Sequence, residues 1–164
     1  MVVVDSSVLI PLSKIAKLRS VRESFDEVLT TDEIYREVVE EGKGRKGTSK
    51  IKESFEEWIV VENFDLEKAE EIAELEGITT ADASLLLLAE KRDSILLTND
   101  RALILVARSR NVEYYWLTTL VLKRVKEGDL GKNEALDLLD ELIAAGMNLA
   151  PKVYSKLRKK IDEV

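Results

Sequence analysis

The feature that most constrains this fold is the repeated alternation of short β-branched runs with stretches of helical periodicity. The chain opens with the run Val2-Val3-Val4, which ends at Asp5 and is typical of a buried parallel strand. From Val8 to Leu18 the apolar residues then recur at helical spacing, which predicts a helix. The same alternation continues along the chain, with further strands predicted at 27–31, 59–62, 94–98 and 112–117.

Helices are predicted between these strands, with bounds set by capping residues and glycines. We predict helices over 31–42, 65–75 and 80–92, the last one apolar nearly all round and therefore buried. Because parallel neighbours need crossover helices, the pattern predicts a three-layer α/β/α sandwich around a central, mainly parallel sheet. The 164 residues suit one domain, with an α/β core over 1–117 and a helical extension over 118–164.

The chain contains neither cysteine nor histidine, which limits its possible chemistry. Thiol nucleophiles, serine–histidine triads, histidine bases and the usual zinc sites are all excluded. The net charge of -7 has the wrong sign for binding nucleic acid through bulk electrostatics, so such a function requires local basic patches or bridging cations. Three candidate patches are Lys43, Arg45, Lys46 and Lys50; Arg101, Arg108 and Arg110; and Lys156, Arg158, Lys159 and Lys160.

The composition also bears on where the protein works. There is no apolar run of about 18 residues, and Met1 to Val4 meets Asp5 without a basic segment or cleavage site. We therefore expect a soluble, cytoplasmic protein with no membrane segment. The 35% of charged residues resembles the composition of thermophile proteins.

Three aspartates fall where an α/β sheet places its ligands. Ligands bind at the carboxyl ends of the strands, and Asp5 and Asp100 follow two predicted strands, while Asp82 lies in the first turn of a helix. Asp82 and Asp100 have an alternative explanation, since a carboxylate at a helix N-terminus stabilises the helix dipole. Asp5 is harder to explain in that way, because a charge that ends a buried strand needs a partner or a metal ion.

A fourth acid, Glu37, is not selected by periodicity. It competes with Glu33, Glu40 and Glu41 on the same predicted helix, and the apolar stripe places Glu41 nearer the edge of the core. A helical glutamate is more often solvated surface than a ligand. The residue pattern alone therefore leaves this position open.

Taken together, these segments resemble the motif series of the PIN-domain family, in order and over the whole chain. The segments are VVVDSSVLI at 2–10, IYREVV at 34–39, TADA at 80–83 and LTND at 97–100. The tail is similar to the helical extension of a prokaryotic, VapC-like PIN subgroup. The matching positions there are Leu122-Lys123, Gly128, Leu138-Leu139, Leu142, Gly146 and Val153-Tyr154.

The resemblance implies an acidic metal pocket and a nuclease activity. Its acids are Asp5, Glu37, Asp82 and Asp100, with supporting roles for Ser6, Ser7, Thr98 and Asn99. Four crowded carboxylates repel one another and suit hard cations, so Mg²⁺ or Mn²⁺ is expected, with Asp5 and Asp100 as the preferred direct ligands. We expect an endoribonuclease that hydrolyses single-stranded RNA through a metal-activated water.

Other functions stay open at this level. One hypothesis is the toxin of a toxin–antitoxin pair, with an antitoxin protein as partner and a homodimer as the expected assembly. Another is a catalytically silent PIN-like scaffold that binds RNA or protein. A nucleotide-binding or phosphoryl-accepting α/β domain is disfavoured, because the chain lacks GxGxxG, GxxxxGK[ST] and a DxD after the first strand.

Overall fold

A five-stranded parallel sheet forms the middle layer of the computed structural model, which describes residues 1–164. The strands are β1 (Val2–Val4), β2 (Val28–Thr31), β3 (Ile59–Glu62), β4 (Ile95–Leu97) and β5 (Tyr114–Tyr115). Their order across the sheet is β3-β2-β1-β4-β5, and every neighbouring pair is parallel. The valines of β1 are fully buried, as expected for the central strand of a covered sheet.

Helices flank this sheet and complete the α/β/α sandwich, so the predicted fold class is confirmed. The helices are α1 (Ser6–Lys14), α2 (Arg19–Ser24), α3 (Asp32–Tyr35, continued by a π-helix over Arg36–Glu40), α4 (Thr48–Glu57), α5 (Leu66–Glu76), α6 (Thr80–Arg92), α7 (Arg101–Ser109), α8 (Leu117–Glu127), α9 (Lys132–Ala144) and α10 (Pro151–Asp162). None of them is both long and apolar enough to cross a lipid bilayer.

The first helix is shorter than its periodicity predicts. A continuous helix to Leu18 is wrong, because α1 ends at Lys14 and Ala16 adopts a left-handed conformation with φ of 56°. Few L-residues other than asparagine and aspartate adopt this region, and a helix cannot continue through it. The chain turns there, and the short helix α2 follows.

The helical extension packs into the same core as the α/β part. One cluster of 39 buried residues includes strand residues such as Val3 and Leu96 together with Leu120, Leu139 and Ile161 of the extension. A continuous cluster of this kind is typical of one folding unit.

The order of the strands creates a crevice at one edge of the sheet. From β1 the chain proceeds to β2 and β3 on one side, whereas β4 and β5 lie on the other side. Connections that leave β1 and β4 therefore diverge from the same edge, which is the usual position of a ligand site in such sheets. Asp5 follows β1 and Asp100 follows β4, so the topology places both at this crevice.

Candidate active site

Asp5 is the most buried acid of the crevice, and three hydroxyl groups surround it. Its side chain is 3% exposed. Ser7 Oγ and Thr98 Oγ1 each donate to Asp5 Oδ2 at 2.7 Å, and Ser6 Oγ lies 3.2 Å from Oδ1. Hydrogen bonds to a carboxylate stabilise its charged form, which allows a charge to persist in a buried position.

The loop after β4 is tied to the start of α1 by Asn99. Its backbone N–H donates to Ser7 Oγ at 2.8 Å, and its side-chain amide donates to the Ser7 carbonyl at 3.1 Å. The side-chain Oδ1 of Asn99 accepts from the backbone N–H of Leu117 at 3.2 Å. The four residues predicted to support the acids, Ser6, Ser7, Thr98 and Asn99, therefore form one hydrogen-bonded network around Asp5.

Glu37 lies in the π-helix that continues α3, and its carboxylate reaches the same network. Ser6 Oγ lies 3.0 Å from Glu37 Oε1 and so bridges this acid and Asp5, donating to one of them at a time. Burial raises the pKa of Glu37 above its usual value; the Ser6 hydrogen bond opposes this, and the charges of Asp5 and Glu41 add to it. Glu41, which periodicity placed nearer the core, is exposed instead.

The π-helix explains why periodicity misjudged this helix. The Glu41 N–H donates to the carbonyl of Arg36, five residues earlier, at 2.8 Å. This widened turn rotates the following residues relative to an ordinary helix, so the 3.6-residue period fails there. Single π-turns occur frequently at functional sites in other proteins.

Asp82 shows most clearly that the four acids share one environment. It is 9% exposed in the first turn of α6, and its backbone N–H donates to Thr79 Oγ1 at 3.1 Å. Burial raises the pKa of Asp82 to about 6; the charges of Asp5, Asp100 and Glu37 raise it as well, and a hydrogen bond with Thr79 opposes the shift. Its ionised form is thus disfavoured by both burial and negative neighbours.

Asp100 caps α7, as the alternative explanation of this residue stated. Its Oδ1 accepts from the backbone N–H groups of Ala102 at 2.8 Å and Leu103 at 3.2 Å. The backbone N–H of Asp100 donates to Thr98 Oγ1 at 3.0 Å, which links it to the network around Asp5. Capping engages Oδ1 alone, and Oδ2 accepts no hydrogen bond from the protein. The residue can therefore cap the helix and still offer an oxygen to a ligand.

The donor set of this site fits a hard divalent cation. Four carboxylates supply only oxygen ligands, and a cation would offset the burial and the repulsion that raise the pKa of Asp82. No three acidic side chains lie close enough to enclose a metal ion by themselves. Mg²⁺ is usually held by one or two carboxylates, with water and substrate phosphate in the other positions, so an open site is compatible with it.

The basic patches predicted from the sequence differ in how many of their side chains already form ion pairs or hydrogen bonds. Arg110 pairs with Glu90 and Glu76, and Arg108 donates to the hydroxyl of Tyr114. Arg101 is exposed, makes no ion pair and directly follows Asp100. In the loop patch, Lys50 pairs with Glu53, and in the tail patch Lys159 pairs with Glu163, while the other members of both patches are exposed without ion pairs.

One residue of this edge was not identified in the sequence. Trp116 follows β5, at the same edge at which Asp5 follows β1 and Asp100 follows β4. The predicted strand over 112–117 included this partly exposed residue, so the rule that selected the two acids, a position directly after a strand, did not select it; β5 ends at Tyr115 instead.

Comparisons with known proteins agree with this architecture. A family model described as a PIN domain matches residues 1–163. The crystal structure of PAE2754 from Pyrobaculum aerophilum is similar in fold, with a TM-score of 0.50 and 24% sequence identity over 63% of this chain and 84% of that chain. No curated protein sequence matches the chain significantly. The chain belongs to the PIN-domain family, whose members are commonly nucleases.

Proposed function

We propose that this protein is an endoribonuclease that requires Mg²⁺ or Mn²⁺ and hydrolyses phosphodiester bonds of single-stranded RNA. One observation carries the proposal. Four acids from separate elements lie near the carboxyl edge of the sheet, where burial and the charges of Asp5, Asp100 and Glu37 raise the pKa of Asp82 to about 6. Such repulsion is unfavourable unless a cation compensates it, and perturbed acids cluster at catalytic sites.

The proposed roles follow from how each acid is held. Asp5, which hydroxyl groups hold by hydrogen bonds, and Asp100, with its free Oδ2, are the proposed ligands. When bound, the ion supplies positive charge that polarises the scissile phosphate, lowers the pKa of the attacking water and offsets charge on the leaving oxygen. Glu37 and Asp82 have raised pKa values and are suited to accept the proton of that water, because an efficient base titrates near the working pH.

A cleavage assay with matched variants tests this proposal. The wild type and an Asp5→Asn/Asp100→Asn variant are incubated with an end-labelled single-stranded RNA in Mg²⁺, in Mn²⁺ and in EDTA. We expect cleavage by the wild type only with metal, and at least a 100-fold loss in the variant, about the effect of removing one strong electrostatic contribution. Asp26→Asn/Asp137→Asn is the matched control, since both acids are exposed. Cleavage by the first variant at the wild-type rate contradicts the proposal.

The scaffold hypothesis is the competing function, and two observations favour it. No three acids enclose a metal without help, and Asp100 already serves as a helix cap. Calorimetric titration with Mn²⁺ separates the two functions. Heat of binding that disappears in the Asp5→Asn/Asp100→Asn variant supports the nuclease, whereas no binding and no cleavage together support a scaffold for RNA or protein.

We further propose that this nuclease is the toxin of a toxin–antitoxin pair. This setting predicts a short reading frame directly upstream, whose product binds the protein and suppresses cleavage. It also predicts a homodimer, which sedimentation equilibrium measures directly. Full cleavage in the presence of an excess of the upstream product contradicts the toxin hypothesis and leaves the nuclease proposal in place.

A further inference from the structure

A groove next to the carboxylates has walls from both parts of the chain. It has a volume of about 480 Å³, which is within the usual range for a small-molecule site. Trp116, which follows β5, forms one side. Met147, Leu149 and Val153, which lie at the start of α10 and in the segment before it, form the other side.

Two residues connect this groove to the acids. Asn99 lines the groove and also donates to the Ser7 carbonyl beside Asp5, while its side-chain Oδ1 accepts from the backbone N–H of Leu117. Arg101 lines it as well and directly follows Asp100. The groove therefore includes both chain neighbours of Asp100, one of the proposed ligands, and an RNA strand with a phosphate bound at that site would meet the groove with an adjacent nucleotide.

The lining has the chemistry of a nucleobase site. The partly exposed indole of Trp116 offers a face for stacking, which is how proteins commonly hold unpaired bases. Asn148 is exposed and makes no hydrogen bond in the protein, so its amide is available to the polar edge of a base. Arg101 is exposed and makes no ion pair, so its guanidinium is available to a phosphate of the strand.

We infer that this groove binds an unpaired nucleobase of the RNA strand, next to the phosphate that a cation at the carboxylates would bind. The inference rests on the proposed nuclease function and adds a binding subsite to it. It also implies that the helical extension contributes to RNA recognition, because three apolar side chains of the groove belong to residues 147–153.

Fluorescence of Trp116 tests the inference without relying on cleavage. Trp58 is the only other tryptophan, so a Trp58→Phe change leaves Trp116 as the sole reporter. The Asp5→Asn/Asp100→Asn changes are added to prevent cleavage, and asparagine is as good a helix cap as aspartate. The protein is titrated with a single-stranded oligoribonucleotide in EDTA. We expect the stacked base to quench the indole, and an abasic strand of the same length to leave the emission unchanged.

Matched surface variants show whether the groove itself is the site. Val153→Glu places a charge on the groove wall. Val60→Glu makes the same change in β3, which is the outer strand on the other side of the sheet from β5. Each valine is 47% exposed, so both variants should fold. We expect Val153→Glu to weaken binding about tenfold, the effect of losing one stacked base, and Val60→Glu to leave the affinity unchanged.

The possible results separate this inference from the nuclease proposal. Metal-dependent cleavage by the wild type without any quenching overturns the groove and leaves the nuclease in place. Quenching that disappears in Val153→Glu supports the groove, even if the wild type never cleaves RNA. Equal quenching by the abasic strand, or equal weakening by Val60→Glu, overturns it. Emission that changes with protein concentration in the absence of RNA shows that a second copy covers Trp116, and this result also overturns it.

Discussion

The α/β part and the helical extension contribute to this edge of the molecule in opposite ways. All four acids belong to the α/β part, and each follows a strand or lies in the first turns of a helix. The extension contributes no acid; it supplies side chains from 147 to 153 to the groove beside them. The acids thus lie on the α/β part, and the apolar wall lies on the extension.

The two regions also differ in burial, which explains this division. Asp5 is 3% exposed and Asp82 is 9% exposed, whereas Val153 of the extension is 47% exposed. A buried charge needs fixed hydrogen bonds and cannot shift without cost, so it belongs on a rigid sheet edge. An exposed apolar wall tolerates substitution, which suits recognition of different targets on one catalytic frame.

The largest expected effect tests whether the two regions fold together. Leu139 of α9 is fully buried in the shared core, so Leu139→Ala should lower the free energy of unfolding by about 2–5 kcal/mol. Urea denaturation followed by circular dichroism measures it. Leu75→Ala is the control, because that side chain is 78% exposed and should change stability by less than about 0.5 kcal/mol. Two separate transitions would contradict the prediction of one domain over residues 1–164.

The next effect concerns the acid that periodicity did not select. Glu37→Gln should lower the rate of metal-dependent RNA cleavage about 100-fold, since it removes a charge and a proton acceptor from the site. Glu41→Gln is the matched control, with the same change on an exposed residue beyond the π-turn. We expect the control to cleave at the wild-type rate. A larger loss in Glu41→Gln than in Glu37→Gln would show that the acid next to Ser6 is not the functional one.

This pair of glutamates marks where sequence patterns stop being sufficient. The alternation of strands and helices predicted the parallel sheet. The strand-end rule selected Asp5 and Asp100, and a position in the first turn of a helix selected Asp82. Glu37 came only from the family resemblance, because the π-turn at Arg36–Glu40 breaks the period on which the pattern depends.

Local sequence patterns predict neither the end of α1 nor the groove, and the reasons differ. The left-handed conformation of Ala16 depends on the surrounding packing, and no glycine is present at this position to indicate it in the sequence. The groove unites Trp116 with residues more than 30 positions later, such as Met147 and Val153. Pairings of that range are set by tertiary packing, which periodicity does not report.

A smaller effect should appear in the pH dependence of stability. The pKa of Asp82 is raised from 3.8 to about 6 in the folded protein, so between these values the folded state binds more protons than the unfolded one. Stability should then fall as the pH rises from about 4 to about 7 in EDTA. The loss from this group is on the order of 1 kcal/mol, since solvent screens part of the repulsion.

Asp82→Asn tests this pH dependence directly. The variant should lose this part of the pH slope and become more stable than the wild type at pH 7 in EDTA, because its side chain carries no charge. Asp137→Asn, a change at an exposed acid of α9, should keep the wild-type slope. Urea denaturation at a series of pH values measures all three proteins. A wild-type slope in Asp82→Asn would show that the pKa of Asp82 is not raised in the folded protein.

The smallest effect compares two arginines of α7, of which only Arg101 lines the groove. Arg101 is exposed and makes no ion pair, whereas Arg108 donates to the hydroxyl of Tyr114 and lies 5.7 Å from the centre of its ring. Arg101→Gln should weaken binding of single-stranded RNA about threefold and lower the salt dependence by about one phosphate contact. Fluorescence anisotropy at several salt concentrations measures both quantities, with Arg108→Gln as the control. An arginine without a partner contributes to phosphate binding, and an arginine already bonded to the protein contributes less. Equal effects of the two changes would therefore show that the RNA backbone binds elsewhere on the surface.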